Sequence, residues 1–265
     1  MLTPSNPIAI GRTAQVFAWQ EGQVLKLFHD WVPEDWVTHE LRIARLVQAA
    51  GLDVPAVIGD IVEVDGRRGI CYQSLDGDSM MQHIEAHPLR VFEQAGLLGK
   101  LHAEMHSRQG SGLPSQREKL KYKIRDADPL PEDLQEAALL ALAKLPDGDR
   151  VCHGDFHPGN ILMTSRGPIT IDWTDASCGN PLSDVARTLV LLAAAQVPLS
   201  SFIGWLVKIG RKRILAAYTQ KYFQTSQLDR SQLKAWIPIV AAARLNEKIP
   251  EENEHLLTIV RHGLI

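Results

Sequence analysis

The chain has little cysteine, with only Cys71, Cys152 and Cys178 in 265 residues. An odd, widely spaced trio implies no disulfide framework, and no CxxC or Cys/His spacing suggests a metal site. Long apolar runs are also missing. Even a run such as Leu189 to Ala195, which none exceeds, falls far short of the ~20 residues that cross a bilayer. No charged n-region followed by an apolar stretch opens the sequence, so no signal peptide is expected. Neither sign of charge dominates: the formal net charge is −3, whereas a dedicated nucleic-acid binder carries a basic patch. Internal repeats and low-complexity tracts are absent. What is present, 45% hydrophobic and 22% charged residues, is ordinary globular composition. The length suffices for one large domain or two lobes. A soluble cytoplasmic protein, with neither membrane nor nucleic acid as partner, is the expectation.

The first seventy-odd residues read as an antiparallel sheet with one helix. Residues 8–28 alternate as strands do, with a turn at Gly11-Arg12-Thr13. Within Val24-Leu25-Lys26-Leu27-Phe28, Lys26 shares a strand face with Val24 and Phe28. A helix opens near Pro33 and ends at Gly51, where a C′ glycine is expected. Ile61–Val64 and Gly69–Gln73 flank Asp65-Gly66, a strong hairpin signal.

From Pro88 the pattern turns helical, with Leu89, Phe92, Ala95, Leu98 and His102 at helical spacing. Residues 108–131 read as a polar loop with a charged helix start, and Leu134 to Leu145 as helix. Residues 150–173 are a β-rich exception whose hairpin turn is Ser165-Arg166-Gly167-Pro168. After Pro181 the chain reads as α, over about 182–195, 199–223, 230–246 and 251–262. An α+β, bilobal arrangement follows: residues 1–77 as a small β-rich lobe ending in a hinge near 73–78, and residues 78–265 as a larger α-rich lobe.

The chemistry concentrates in His153-Gly154-Asp155-Phe156-His157-Pro158-Gly159-Asn160 and in Ile171-Asp172-Trp173. A carboxylate, an amide five residues on, and a second carboxylate after a strand pair form a kit for phosphoryl transfer. Asp155 would orient or deprotonate an attacking hydroxyl, while Asn160 and Asp172 supply hard oxygens for Mg²⁺. Asp155 alone could be an Asx-turn residue; the three together give the catalytic reading. His102 and His106 share a helix face, but no third metal ligand presents itself and HExxH spacing is lacking, so they read as core or loop-contacting histidines. Lys208, Arg211, Lys212 and Arg213 read as a solvated face. Glu251, Glu252 and Glu254 charge a helix N-terminus. Core packing accounts for Trp31, Trp205 and Trp236.

The string 153–162 with 171–173 resembles the aminoglycoside phosphotransferase and choline kinase family, which has a protein-kinase-like bilobal fold. The resemblance covers nearly the whole chain and is weakest after residue 195. It implies an ATP-dependent small-molecule kinase, GTP not being excluded, that uses Mg²⁺. It also implies that Lys26 meets the α- and β-phosphates and is held by Glu40 on the following helix. Glu34 is the weaker rival, since acids in a first turn serve the helix dipole.

Aligning Val16 with the last residue of G-x-G-x-x-G-x-V leaves Gly11 as the one matching glycine. By the resemblance, a degenerate loop of Gly11, Arg12, Thr13 and Ala14 brings the amides of Arg12 to Gln15 towards the phosphates. Gln73 and Leu75 would meet the adenine edge through their main chain. His153 would be structural, and Asp184 would brace the loop, although Asp184 could equally serve a helix N-terminus behind Pro181.

The acceptor is a small hydroxyl compound of open identity. Residues 176–265 hold eleven Lys and Arg against six Asp and Glu, the wrong sign for a polycationic aminoglycoside. A sugar, amino alcohol or other metabolite fits better. Two other readings stay open: a nucleotide-binding regulatory pseudokinase and a protein kinase. Against the second, Asp172 is followed by Trp173-Thr174 rather than Phe-Gly. Only residues 173–183 separate it from Asp184, too few for a peptide platform.

Overall fold

The computed structural model describes residues 6–194 and 202–264, and only the backbone of 202–209. The chain forms β1 (Ala9–Ile10), β2 (Ala14–Ala18), β3 (Gln23–Phe28), α1 (Glu34–Ala49), β4 (Val57–Val64) and β5 (Arg67–Gln73). Next come β6 (Asp78–Ser79), α2 (Met80–Ala86), α3 (Val91–Met105), α4 (Gln116–Arg125), α5 (Glu132–Lys144) and β7 (Arg150–Cys152). The remainder is β8 (Ile161–Thr164), β9 (Gly167–Thr170), β10 (Ser177–Gly179), α6 (Pro181–Ala194), α7 (Phe202–Ser226), α8 (Leu233–Arg244) and α9 (Pro250–Leu264). Among the described residues no helix is long and apolar enough to cross a membrane.

Two compact units result: Met1–Met80 with Gly159–Thr174, and Met81–Pro158 with Asp175–Ile265. This differs from a continuous division at 77/78, because residues 159–174 join the first unit. The reason is pairing: Asp78 and Ser79 of β6 face Met163 and Leu162 of β8, which pairs in turn with β9.

In the first unit, an antiparallel sheet runs in the order β1-β2-β3-β5-β4. Asp65 and Gly66 join β4 to β5, both at positive φ (51° and 74°). That is the signature of the primed turn that matches strand twist. The sheet buries both faces. Leu25, Leu27, Phe17 and Cys71 pack on one; Phe28, Ala14 and Ile70 pack on the other, against Val37 and Leu41 of α1. Because side chains alternate along a strand, Lys26 is delivered to the α1 side with Phe28. Its Nζ lies 5.7 Å from that ring's centre.

The second unit is mostly helical. α3 packs along α7, and α8 packs on α4, α5, α6 and α9. β7 and β10 form a small antiparallel pair. Ser115 caps α4, accepting from the Glu118 amide at 3.3 Å, and Asn180 Oδ1 accepts from the Leu182 amide at the start of α6.

Several elements differ from the sequence expectation. α2, β6 and β10 are too short to carry a periodic pattern. α4 lies where a loop with a charged helix start is expected. The β8–β9 turn is only Ser165-Arg166, since Gly167 and Pro168 pair with Thr164 and Met163. Trp236 is buried, but Trp31 is 60% exposed and is not a core residue; the side chain of Trp205 lies outside the described residues. Arg211 does not simply face solvent, for it donates to the Ala193 carbonyl, and Lys208's side chain lies outside the described residues. Glu251 and Glu252 lie in the first turn of α9 as expected, and Glu252 also pairs with Arg244 (2.6 Å). The expected helix boundaries at 195 and 199 fall in residues 195–201, outside those described.

Ile70 is fully buried between sheet and α1. Ile70→Ala is expected to lower the unfolding free energy by about 2–5 kcal/mol, from lost transfer energy and the cavity left behind. Denaturant melts of the two proteins measure the difference.

Candidate active site

In the first unit, Lys26 Nζ pairs with Glu40 Oε1 at 2.6 Å and with Asp172 Oδ1 at 3.6 Å. Strand alternation carries Lys26 to the helix side, and the inward face of α1 carries Glu40, which is 7% exposed. Burial opposes the lysine's charge, but Glu40 and Asp172 outweigh it, and its pKa rises above the ordinary value. Thr174 Oγ1 lies 3.1 Å from both Glu40 Oε2 and Asp172 Oδ1. With a single proton to share between two carboxylates, it couples them. Tyr72 adds a hydroxyl 3.4 Å from Glu40 Oε1. Burial and then Glu40 push its phenol well up.

Asp172 sits at φ 60°, a left-handed conformation that Asp tolerates better than most residues and that recurs at functional sites. The Ile171 amide donates to the Asn160 carbonyl at 2.9 Å, and Ile161 pairs with Thr170. Asn160 and Asp172 therefore stand at the same end of the β8–β9 hairpin. Both offer oxygen donors of the hard kind that Mg²⁺ takes, and Asp172's side chain is half exposed. The donor set fits that ion.

Gly11 opens the β1–β2 turn, its amide bonded to the Ala14 carbonyl at 2.8 Å. Arg12 and Thr13 complete the turn, and Ala14 is buried. Gln73 ends β5, its amide held by the Ala56 carbonyl, and Leu75 follows in the connection to β6.

In the second unit, the segment around Asp155 is held by one face of α6. Asp184 Oδ2 accepts from the His153 amide at 2.6 Å, and Oδ1 from the Gly154 amide at 2.9 Å. Arg187 Nε donates to the Gly154 carbonyl (3.1 Å), and Thr188 Oγ1 to the Phe156 carbonyl (2.9 Å). Residues 184, 187 and 188 share a face by helical spacing. Gly154 is required here: it lies at φ 81°, and a Cβ would come within 2.7 Å of the Asp175 carbonyl. Asp155's carboxylate is one-third exposed, 3.5 Å from His157 Nε2 and 3.8 Å from Arg187. Burial raises its pKa, but His157 and Arg187 outweigh that and hold it below the usual value. It is an ionised acceptor.

Beneath this loop lies a buried polar network. His102 and His106 direct Nε2 to Asp184 Oδ2 at 3.2 and 3.3 Å. Their Nδ1 atoms accept from Tyr218 (2.6 Å) and Tyr222 (2.8 Å). Asp184 is thus the third group that the sequence did not disclose. The three ligand atoms lie within 4.8 Å of one another, yet each of them is already engaged in the hydrogen bonds just named. The cluster is a hydrogen-bonded strut. Burial and His106 depress His102 to about 3, so its Nε2–H donates from a neutral ring to an ionised Asp184.

Lys26, Glu40 and Asp172 thus meet in the first unit, with Asn160 at the same hairpin end, while Asp155 stands in the second. Thr174, Tyr72 and Arg187 are absent from the sequence expectation. Only Tyr72 had a signal: it pairs across from Val24, on the face that period-two alternation assigns to Lys26.

The strut has a consequence for acid stability. Between its ordinary 6.5 and about 3, His102 is protonated in the unfolded chain but not in the folded one, so stability falls as pH falls. The slope is at most about 1.4 kcal/mol per pH unit for one proton. Urea melts between about pH 6.5 and 4.5, above the ordinary range of Asp184, should show a shallower slope in His102→Gln than in the wild type. Equal slopes would refute the assignment.

No curated sequence matches the chain. Among solved structures, a choline/ethanolamine kinase family protein from Mesorhizobium loti is 16% identical, with a TM-score of 0.61 over 98% of this chain and 88% of that one. A thermostable mutant of aminoglycoside phosphotransferase APH(4)-Ia, in ternary complex with ADP and hygromycin B, is 15% identical, with a TM-score of 0.58 over 98% and 91%. The GDP and kanamycin complex of APH(2")-IIia is 15% identical, with a TM-score of 0.58 over 99% and 93%. These likenesses bear on the fold, which is protein-kinase-like. The model of the phosphotransferase enzyme family (APH) matches residues 6–246, and the chain belongs to that family.

Proposed function

We propose that this phosphotransferase transfers the γ-phosphoryl group of ATP to a hydroxyl of a small molecule, with Asp155 as the group that orients and deprotonates that hydroxyl. The observation that carries the reading is the triad of Lys26, Glu40 and Asp172, with pair distances of 2.6 and 3.6 Å. A cation clamped between two carboxylates is poised to exchange one of them for a phosphate oxygen. Glu40, the more buried partner, keeps Lys26 in place as Asp172 is relieved. The ADP and GDP in two structural relatives support a nucleotide here, read as ATP with GTP not excluded.

The amides of the turn at Gly11, Arg12, Thr13 and Ala14 would approach the phosphates, and the main chain at Gln73 and Leu75 would receive the base. Asn160 and Asp172 would hold Mg²⁺, which supplies charge neutralisation on the phosphates when bound. Asp155, kept ionised by His157 and Arg187, needs no basicity beyond that of a carboxylate, because in a loose transition state the hydroxyl proton leaves late, once the bond to phosphorus has made it acidic. Most of the barrier reduction comes from positioning and preorganised charge.

Asp155→Asn should lower kcat by roughly a thousandfold, a loss typical of positioned acid–base groups, while nucleotide affinity stays within about threefold. Coupled ADP release and nucleotide titration measure the two. Wild-type turnover in that variant would remove the assignment. Lys26→Met should instead weaken nucleotide binding.

A further inference from the structure

A small cavity in the second unit, about 50 Å³, opens beside the Asp155 loop and has Gly154 in its wall. Three helices turn cations into it: Lys119 and Lys123 from one face of α4, Arg187 from α6 and Arg244 from α8. Arg187 reaches from the cavity to Asp155 Oδ1 at 3.8 Å. Acids are fewer. Asp175 is shared between Lys119 (3.1 Å) and Lys123 (3.8 Å). Glu247 is shared by Arg187 (2.5 Å), Arg244 (2.8 Å) and Lys123 (3.8 Å). Glu252 is spent on Arg244, and Asp184, also in the wall, is committed to the loop amides and the two histidines.

Asp175 and Glu247 each serve two or more of these cations, and Asp184 has no lone pair to spare for them. The field is strong enough to hold Asp175 ionised down to about 2, through Lys123 and Lys119 against its own burial. Burial lowers the pKa of Lys119 even with Asp175 beside it, so a further anion would stabilise its charge. A polycation entering here would meet four like charges against two wall carboxylates, an unfavourable balance that selects against it.

Resting on the kinase reading above, we propose that the acceptor is a small anionic alcohol, a hydroxy acid or hydroxyalkyl phosphate. Its oxyanion binds among Lys119, Lys123, Arg187 and Arg244, and its hydroxyl faces Asp155. In the reaction the acceptor oxygen forms the bond to the γ-phosphorus, the bond from that phosphorus to the β,γ-bridging oxygen breaks, ADP leaves, and the hydroxyl proton passes to Asp155. Aminoglycosides are excluded as substrates by the same charges.

The test has two arms. ADP release is measured with ATP and a matched series: glycerol, D-glycerate, sn-glycerol 3-phosphate and kanamycin. The expected result is a kcat/KM for glycerate or glycerol 3-phosphate at least about tenfold above that for glycerol, with kanamycin inert. The two anions separate a carboxylate acceptor from a phosphate one. In Lys119→Met/Lys123→Met the KM for that anion should rise about tenfold or more with kcat within about threefold, and Lys119→Arg/Lys123→Arg should restore it.

Separately, calorimetric titration of D-glycerate and inorganic phosphate into the whole protein should show saturable binding that the double Met variant loses. Turnover of kanamycin or glycerol in preference to the anions, or anion binding that is absent or survives in the Met variant, overturns the pocket and leaves the kinase reading intact. Anion binding lost only in the Met variant, with no ADP released with any acceptor, supports the pocket and overturns the kinase reading.

Discussion

The carboxylate of Asp184 is the constraint on which the second unit turns. It is wholly buried, and an ionised group in that position costs several kcal/mol unless its lone pairs are filled. Four donors fill them: the amides of His153 and Gly154 and the Nε2–H groups of His102 and His106. Burial favours the neutral acid, but the histidines prevail and the carboxyl stays well below its usual pKa. Removing any one donor leaves a charge partly unpaired in a medium of low dielectric, so the arrangement is held as a unit. The loop backbone is thereby set before Asp155, and the direction in which Asp155 emerges follows from it.

A different device serves the first unit. There, a lysine on a strand and a glutamate on a helix meet because the strand's alternation and the helix's inward stripe both point to the same layer. Lys26 stays charged though largely buried, since two carboxylates compensate what burial costs. Thr174 joins those carboxylates through a single hydroxyl, so a change at one is felt at the other. The two units thus hold their polar groups by opposite means: a buried anion ringed by donors, and a buried cation bracketed by acids.

Phosphoryl transfer asks the protein for little covalent work, so specificity falls to the charges around the acceptor. Eleven Lys and Arg against six Asp and Glu over residues 176–265 is an average without a location. The folded chain concentrates part of it: α4, α6 and α8 bring four cations to one small cavity, Arg187 in contact with both Glu247 and the neighbourhood of Asp155. Two of those cations, Lys119 and Lys123, come from a segment whose sequence reads mostly as loop.

The amino-acid sequence alone determined the elements whose signals are local. Among these are the Asp65-Gly66 turn, the α1 helix after Pro33, Lys26's strand face, and the motif residues Asp155, Asn160 and Asp172. Short-range sterics, side-chain period and fixed spacing act within a few residues and need no partner. What only the tertiary structure decided are contacts across long separations. Asp184 meets His102 and His106 from 82 and 78 residues away, Thr174 meets Glu40 across 134, and the β8–β9 hairpin joins the first unit by pairing with β6. None of these partners carries a mark of its own in the chain. Each is selected because burial leaves a charged or polar group that must be satisfied, and which group is available depends on how the helices and strands have packed.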